Sequence, residues 1–143
     1  MTVSEKVFVD SNYIIALFNP TDSNHKRAKV IAKKLEEQQT KLVLSNFIFL
    51  ETVTVLSQRR GKEVASDVGA LLKQDHTISI IMIDDLLNDA AWYIFQNVPY
   101  KNISFVDCST IALMKTENLQ RILTFDVTDF KKMHTVNEFD FFE

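Results

Sequence analysis

Acidic side chains interrupt apolar segments of this sequence at four places. Asp10 separates the apolar run "KVFV" from the apolar helical pattern "SNYIIALF". Glu51 lies inside "SNFIFLETVTVL", Asp107 comes early in "SFVDCSTIALMK", and Asp126 follows "RILTF". An ionised carboxylate among apolar side chains is costly unless a cation or hydrogen-bond donors compensate it. These four positions therefore need a chemical explanation.

A divalent cation is one such explanation. Carboxylates that lie close together repel one another and raise one another's pKa unless a cation lies between them. Mg²⁺ and Mn²⁺ prefer hard oxygen ligands, and such an ion can also bind a phosphate group. A bound ion lowers the pKa of its water and stabilises a leaving oxygen. The pattern therefore favours a hydrolytic Mg²⁺ or Mn²⁺ site, with Asp10 as a ligand at the end of a rigid strand.

Local structure offers a second explanation for each acid. Asp10 can cap the helix that follows it, and the Ser-x-x-Asp spacing of Ser104 and Asp107 is typical of a capping box. Glu51 can reach the edge of its helix or pair with an Arg or Lys, while Asp126 can form a turn or a cap. Each explanation is adequate alone. The recurrence of acids at apolar junctions favours the metal site.

Short apolar runs alternate with helical patterns along the chain, which predicts a parallel sheet covered by helices on both faces. The fold class is therefore a three-layer α/β/α sandwich. Because parallel strands joined by right-handed crossovers end at one edge of a sheet, Asp10 and Asp126 are predicted to share that edge. Strands are predicted at 6–9, 41–45, 77–83, 120–125 and 133–137 ("MHTVN"). Four helices are predicted at 11–18, at 46–59 after Ser45, at 62–74 and at 105–117 after Ser104. A further helix is predicted to run from a cap at Asp22 or Ser23 to 39, and another from a cap at Asp84 or Asp85 to 98.

The composition limits the class of protein. A chain of 143 residues with 46% hydrophobic and 24% charged residues predicts one packed domain, residues 1–143. The net charge of −3 argues against a protein that coats nucleic acid non-specifically. The single cysteine, Cys108, excludes an internal disulfide. The first residues lack a signal-peptide pattern and no run is long enough to cross a bilayer, so we expect a cytoplasmic protein with no membrane partner.

Four segments, in order, resemble the motifs of PIN-domain ribonucleases, and in particular the small VapC-type toxins of toxin–antitoxin pairs. The first is "VFVDSNYIIALF", an apolar strand, an Asp, a Ser–Asn pair and an apolar helix. The second is "SNFIFLETVTVL" with its helical Glu, and the third is "SFVDCSTIALMK" with its early Asp. The fourth is "ILTFDVTDF", in which Thr-x-Asp follows a strand. The resemblance covers nearly the whole chain and implies a PIN-like sandwich.

The resemblance also implies the site and the reaction. Asp10 and Asp107 are expected to contact Mg²⁺ or Mn²⁺ directly, and Glu51 and Asp126 to complete the site directly or through water. Asp129 is a weaker fifth acid. The implied reaction is hydrolysis of RNA by a metal-activated water without a covalent intermediate. The implied partners are a structured RNA such as tRNA, an antitoxin protein and a second copy of the chain. The groups expected to orient the carboxylates are Ser11, Asn12 and Thr124.

Two other functions compete with this one. A catalytically silent PIN-like module that binds RNA or protein would have no need of crowded carboxylates. A Mg²⁺-dependent phosphatase would place a second Asp two residues after Asp10, where this sequence has Asn12. The chain also departs from the family pattern at Tyr13 and at Cys108 and Ser109, although none of these residues replaces a proposed ligand. Cys108 is expected to be a small buried side chain.

Cationic and aromatic residues suggest further surfaces. Lys26, Lys29 and Lys33 share one stripe of a helix, with Arg27 and Lys34 beside it. A solvated helix face explains the stripe more simply than a path for an RNA backbone. The aromatic residues of the C-terminal "EFDFFE", and the Trp92–Tyr93 pair, are expected in the core or at a dimer contact.

Overall fold

The computed structural model describes residues 5–143 and contains one sheet of five strands, all parallel. Residues 1–4, on which the expected lack of a signal peptide partly depends, lie outside this range. The strands are β1 Lys6–Val9, β2 Lys41–Ser45, β3 Ile78–Ile81, β4 Arg121–Leu123 and β5 Asp140–Phe141. The helices are α1 Ser11–Phe18, α2 His25–Glu37, α3 Asn46–Arg60, α4 Lys62–Gln74, α5 Asp85–Asn97, α6 Phe105–Thr116 and α7 Val127–Lys131.

The order of the strands decides where the carboxyl ends meet. The sheet runs β3-β2-β1-β4-β5, so β1 pairs with β2 on one side and with β4 on the other. From β1 the chain adds β2 and then β3 on one side of the sheet, and it then adds β4 and β5 on the other side of β1. The direction of winding therefore reverses between β1 and β4, and open α/β sheets bind their ligands at such a reversal. Asp10 follows β1 there, and its backbone N–H donates to Leu123 O at 2.9 Å.

The core forms where apolar strands and helices meet. Val7, Phe8 and Val9 of β1 are fully buried, as expected for a strand with neighbours on both sides. In α6 every side chain from Cys108 to Met114 is buried, which makes this helix a central support. The predicted three-layer α/β/α sandwich is confirmed, with helices flanking a central parallel sheet. No helix within residues 5–143 is long and apolar enough to span a bilayer.

Side-chain caps begin several helices where they were predicted. Ser45 accepts a hydrogen bond from Ile48 N at 3.1 Å, and Asp84 accepts one from Leu87 N at 2.9 Å. The cap predicted for α2 at Asp22 or Ser23 is wrong, because the helix begins at His25. Asp22 instead stabilises the preceding turn by accepting from Asn24 N at 2.8 Å.

The C-terminal region differs most from the prediction. "MHTVN" is not a strand, because Lys132–Thr135 form a 3₁₀ turn that continues α7, a helix that was not predicted. The last strand comes from the tail, where Phe142 N donates to Ile122 O at 2.9 Å. Phe139 and Phe142 are buried, so these two rings lie in the core, which is one of the two places expected for them. The strands predicted at 77–83 and 120–125 are present but shorter.

Candidate carboxylate site

Asp10 is a buried carboxylate at the junction of β1 and α1. It is 6% exposed, and its Oδ1 accepts a hydrogen bond from Ser11 N at 2.8 Å, so it caps α1. Its Oδ2 accepts from the Thr124 hydroxyl at 2.8 Å. The capping explanation is therefore correct for one oxygen, while the other oxygen is held by a residue that follows β4.

Thr124 and Asn12 connect Asp10 to the segment that follows β4. The Thr124 hydroxyl accepts hydrogen bonds from Asp126 N at 3.0 Å and from Asn12 Nδ2 at 3.2 Å. Asn12 Oδ1 accepts from Phe125 N at 3.0 Å. Asn12 Nδ2 also lies 3.4 Å from Asp10 Oδ2. These contacts hold the Asp10 carboxylate in one orientation across the reversal between β1 and β4.

Asp107 lies in the first turn of α6 and forms the capping box that its spacing indicated. Its backbone N–H donates to Ser104 Oγ at 3.0 Å, and Ser104 N donates to Asp107 Oδ2 at 3.0 Å. The side chain is half-buried. One carboxylate oxygen is engaged by the cap, and Oδ1 has no hydrogen-bond donor among the described residues.

Glu51 and Asp126 are exposed, on α3 and at the start of α7. Glu51 comes about one helical turn after Ile48 and so lies on the same side of α3. Because Ile48 is fully buried and Glu51 is exposed, Glu51 lies where the apolar face of the helix ends. Glu51 reaches solvent and pairs with no Arg or Lys among residues 5–143. Asp129 differs from the other acids because Lys132 Nζ lies 3.7 Å from it.

The charges of the other acids act on Asp10 and on Asp107. Burial, with smaller contributions from the negative charges of Asp107 and Glu51, raises the pKa of Asp10 from 3.8 to about 7, although the hydrogen bonds that Asp10 accepts oppose the rise. Burial also raises the pKa of Asp107, with added repulsion from Asp126 and Glu51. Mutual repulsion of this kind is what a bound cation relieves. The acids predicted from the sequence are therefore brought to one region.

The donor set suits a hard divalent cation. All four side chains offer carboxylate oxygens, the ligands that Mg²⁺ and Mn²⁺ prefer. Within residues 5–143, none of the four acids has a Lys, Arg or His nitrogen within 4.0 Å, so no protein cation neutralises them. In the same range, no three acidic, His or Cys side chains stand close enough as placed to ligate one ion. Glu51 and Asp126 are exposed and their carboxylates accept no hydrogen bond among residues 5–143, whereas Asp10 is held by hydrogen bonds to both oxygens.

The thiol of Cys108, next to Asp107, is not suited to act as a nucleophile. Cys108 is fully buried, and burial, with the nearby charge of Asp107, raises the pKa of its thiol to about 11. The thiolate is the nucleophilic form of cysteine, and it is scarce near neutral pH at this position. Cys108 is therefore a small core side chain, as the sequence suggested.

An apolar surface beside Glu51 was not predicted from the sequence. A cavity of about 450 Å³ is lined by Glu51 together with apolar side chains that include Phe47, Leu50 and Phe105. Phe105 also packs 6.3 Å from Trp92, ring centre to ring centre, and Trp92 is 51% exposed. The rings come from three different helices, so local periodicity could not show that they form one surface.

Comparison with known proteins identifies the family. A family profile of the PIN domain matches residues 7–135. The chain is 28% identical over 121 residues to the 23S rRNA-specific endonuclease VapC20 of Mycobacterium tuberculosis, a match that covers 84% of this chain and 88% of that protein. The crystal structure of M. tuberculosis VapC20, described as a Sarcin-Ricin loop cleaving toxin, superposes with a TM-score of 0.76 at 27% identity. That superposition covers 87% of this chain and 92% of the VapC20 chain.

Two less similar structures share the fold alone. A toxin–antitoxin complex from Klebsiella pneumoniae superposes with a TM-score of 0.62 at 18% identity, over 87% of this chain and 89% of that one. VapBC2 from Rickettsia felis, bound to a DNA fragment from its promoter, superposes with a TM-score of 0.65 at 13% identity. The second match covers 96% of this chain and 99% of that one.

Proposed function

This chain belongs to the PIN domain family, and on that premise we propose that it is a divalent-metal-dependent endoribonuclease of the VapC toxin type. The observation that carries the proposal is the Asp10 carboxylate. It is buried, fixed by hydrogen bonds, uncompensated by a protein cation, and placed where Asp107 and Glu51 raise its pKa. Capping α1 accounts for Oδ1 of Asp10, but a cap does not require burial of the charge beside other acids, whereas a metal site does.

The roles of the acids follow from how firmly each is held. Asp10 and the half-buried Asp107 would contact the ion, because both are fixed on rigid elements. Glu51 and Asp126 would complete the site directly or through water, since both are exposed and can turn toward it. When bound, Mg²⁺ or Mn²⁺ supplies a water of lowered pKa and neutralises charge on the phosphate. Ser11, Asn12 and Thr124 would keep the Asp10 carboxylate aimed at the ion.

Hydrolysis without a covalent intermediate is consistent with the geometry around Asp10. A phosphatase that forms a phospho-aspartate needs a second carboxylic acid beside its nucleophilic Asp, to act as general acid. The residue two positions on, Asn12, donates to Thr124 and offers no second carboxylic acid. This arrangement favours a nuclease over a phosphatase that forms a phospho-aspartate.

Ribosomal RNA is the first substrate to consider. The relative VapC20 is named for cleavage of 23S rRNA, and its crystal structure for cleavage of the Sarcin-Ricin loop. The similarity to that protein extends over most of both chains, so we take the same loop as the candidate substrate here. Activity on RNA also implies that the protein acts in the cytoplasm.

Protein partners are part of the proposal. Structures with the same fold come from toxin–antitoxin complexes, which supports a separate antitoxin for this chain. A homodimer is supported by the apolar surface of α5, on which Leu86 is 80%, Trp92 51% and Tyr93 69% exposed. Light scattering of the unsubstituted protein and of Trp92→Glu tests the dimer. A mass of one chain for the unsubstituted protein would contradict it.

The function is tested by incubating purified protein with intact ribosomes and with total cellular RNA. Reactions contain Mg²⁺, Mn²⁺ or EDTA, and primer extension maps the cuts. We expect cleavage in the 23S rRNA with either ion, no cleavage in EDTA and none by Asp10→Asn. Asp67→Asn, which changes an exposed acid on α4, is the matched control and should cleave normally. If neither ion supports cleavage but RNA still binds, the silent binding module replaces this proposal.

A further inference from the structure

Arg27 contacts the segment between Thr124 and Asp126 through an aromatic ring. The guanidinium carbon of Arg27, on α2, lies 5.2 Å from the centre of the Phe125 ring. Phe125 comes between Thr124 and Asp126, and its backbone N–H donates to Asn12 Oδ1. The residues that hold Asp10 therefore also anchor the ring on which Arg27 rests.

The charge of Arg27 is not used within the described part of the chain. No carboxylate oxygen among residues 5–143 lies within 4.0 Å of it, whereas Arg59 lies 4.0 Å from Asp22 and Lys132 lies 3.7 Å from Asp129. Arg27 is exposed. A guanidinium held against an aromatic face keeps its edge N–H groups free, and those groups form a planar fork that matches two oxygens of a phosphate.

We propose that Arg27 binds a backbone phosphate of the RNA next to the phosphate that is cleaved. The chain carries a net charge of −3 and clusters acids at the site, so it repels RNA except where a cation intervenes. An ion held by the carboxylates would neutralise charge on the scissile phosphate but not on its neighbour. The neighbouring phosphate needs a cation at the rim of the site, and Arg27 is an unpaired one held in place there.

The position on α2 separates Arg27 from Lys33, a lysine of the same helix. Lys33 lies six residues further along, about 9 Å down the helix axis from Arg27. α2 follows β1 in a crossover connection, so its N-terminal end is the one nearer the carboxyl ends of the strands. Lys33 is exposed and has no ion pair or aromatic partner among residues 5–143. It is therefore a matched cation away from the site.

The test measures RNA binding without cleavage. It uses a fluorescein-labelled Sarcin-Ricin loop hairpin, and fluorescence anisotropy at several salt concentrations with Asp10→Asn as the common background. Adding Arg27→Gln should raise Kd roughly tenfold and reduce the slope of log K against log salt by about one. Arg27→Lys should keep the slope but lose part of the affinity, because a lysine cannot bind two oxygens in a fork. Lys33→Gln should leave Kd within about twofold.

The inference would be overturned if Arg27→Gln had the same Kd and the same salt slope as Lys33→Gln. In protein with Asp10 intact, Arg27→Gln should raise KM by a larger factor than it lowers kcat. If Arg27 acted in the chemical step, the larger effect would be on kcat. The inference rests on the proposed function only for the identity of the cleaved phosphate. If the unsubstituted protein cuts no RNA, the proposed function fails, while the binding measurement still decides the role of Arg27.

Discussion

The Thr124 hydroxyl donates a hydrogen bond of 2.8 Å to Asp10 Oδ2, across 114 positions of sequence. This contact joins the ends of β4 and β1, the two strands between which the winding of the sheet reverses. It compensates part of the cost of burying the Asp10 carboxylate and fixes its direction. Thr124 in turn accepts from Asp126 N, so two of the proposed metal ligands are coupled through one hydroxyl.

Replacing Thr124 by Val should impair the site more than the fold. Val keeps the shape of Thr but removes the donor to Asp10 and the acceptor for Asp126 N. Loss of a group that orients a metal ligand typically costs 10- to 100-fold in metal affinity or activity. We expect a loss of about that size in kcat/KM for RNA cleavage. Thr124→Ser retains the hydroxyl and should stay within a few-fold of the unsubstituted enzyme; equal losses in both variants would refute the role of the hydroxyl.

Asp10 should make the stability of the metal-free protein depend on pH. Burial, reinforced by the charges of Asp107 and Glu51, raises its pKa from 3.8 to about 7. The folded state therefore keeps the proton that the unfolded state has already lost. The stability contributed by protonated Asp10 is complete below about pH 3.8 and is lost as the pH rises through about 7.

Urea denaturation in EDTA between pH 4 and pH 9 measures this effect. The unfolding free energy of the unsubstituted protein, minus that of Asp10→Asn, should fall by up to about 1.4 kcal/mol per pH unit within that window and level off above it. Mg²⁺ added at pH 8 should stabilise the unsubstituted protein and leave Asp10→Asn unchanged. A difference that does not vary with pH would show that Asp10 is not the titrating group.

Glu51 should contribute to metal binding although it is exposed. Its charge acts on both Asp10 and Asp107, and its free side chain can turn toward an ion between them. We expect Glu51→Gln to weaken Mn²⁺ binding at least tenfold by calorimetry, with little change in the melting temperature without metal. Glu37→Gln, which changes an exposed helical acid on α2, is the control. Equal Mn²⁺ affinity in both variants would remove Glu51 from the site.

The C-terminal tail should be necessary for stability. Phe142 is 4% exposed and lies against the side chain of Arg121, whose guanidinium carbon is 5.2 Å from the ring centre. Removing a buried Phe ring typically costs 3–5 kcal/mol. Phe142→Ala should therefore lower the unfolding free energy by about that amount, measured by urea denaturation. Phe95→Ala, at a ring that is 39% exposed, should cost clearly less; similar losses would contradict the assignment of the tail to the core.

Much of the fold could be predicted because its determinants are local. The apolar run of β1, and the capping residues Ser45, Asp84 and Ser104, act within a few positions of themselves, and the structure confirms them. The parallel edge that brings Asp10 and Asp126 together followed from topology rules. The predicted family and the α/β sandwich are confirmed as well.

What could not be predicted depends on contacts between distant residues. β5 contains two residues and exists because they pair with β4, so no local pattern marks it. "MHTVN" has strand-like composition, but its first three residues belong to the 3₁₀ turn that follows α7. Glu51 lies inside an apolar segment of the sequence, and only the packed structure shows that its side chain is exposed. The contact of Arg27 with Phe125 likewise joins residues far apart in sequence.

Anomalous diffraction from crystals soaked in Mn²⁺ tests the central claim most directly, because it locates the ion without assuming an activity. We predict a peak beside the carboxylates of Asp10 and Asp107, with Glu51 or Asp126 turned toward it, and no peak there in Asp10→Asn. A peak elsewhere, or none at this edge of the sheet in crystals of the unsubstituted protein saturated with Mn²⁺, would contradict the assignment of these carboxylates to a metal-dependent ribonuclease site.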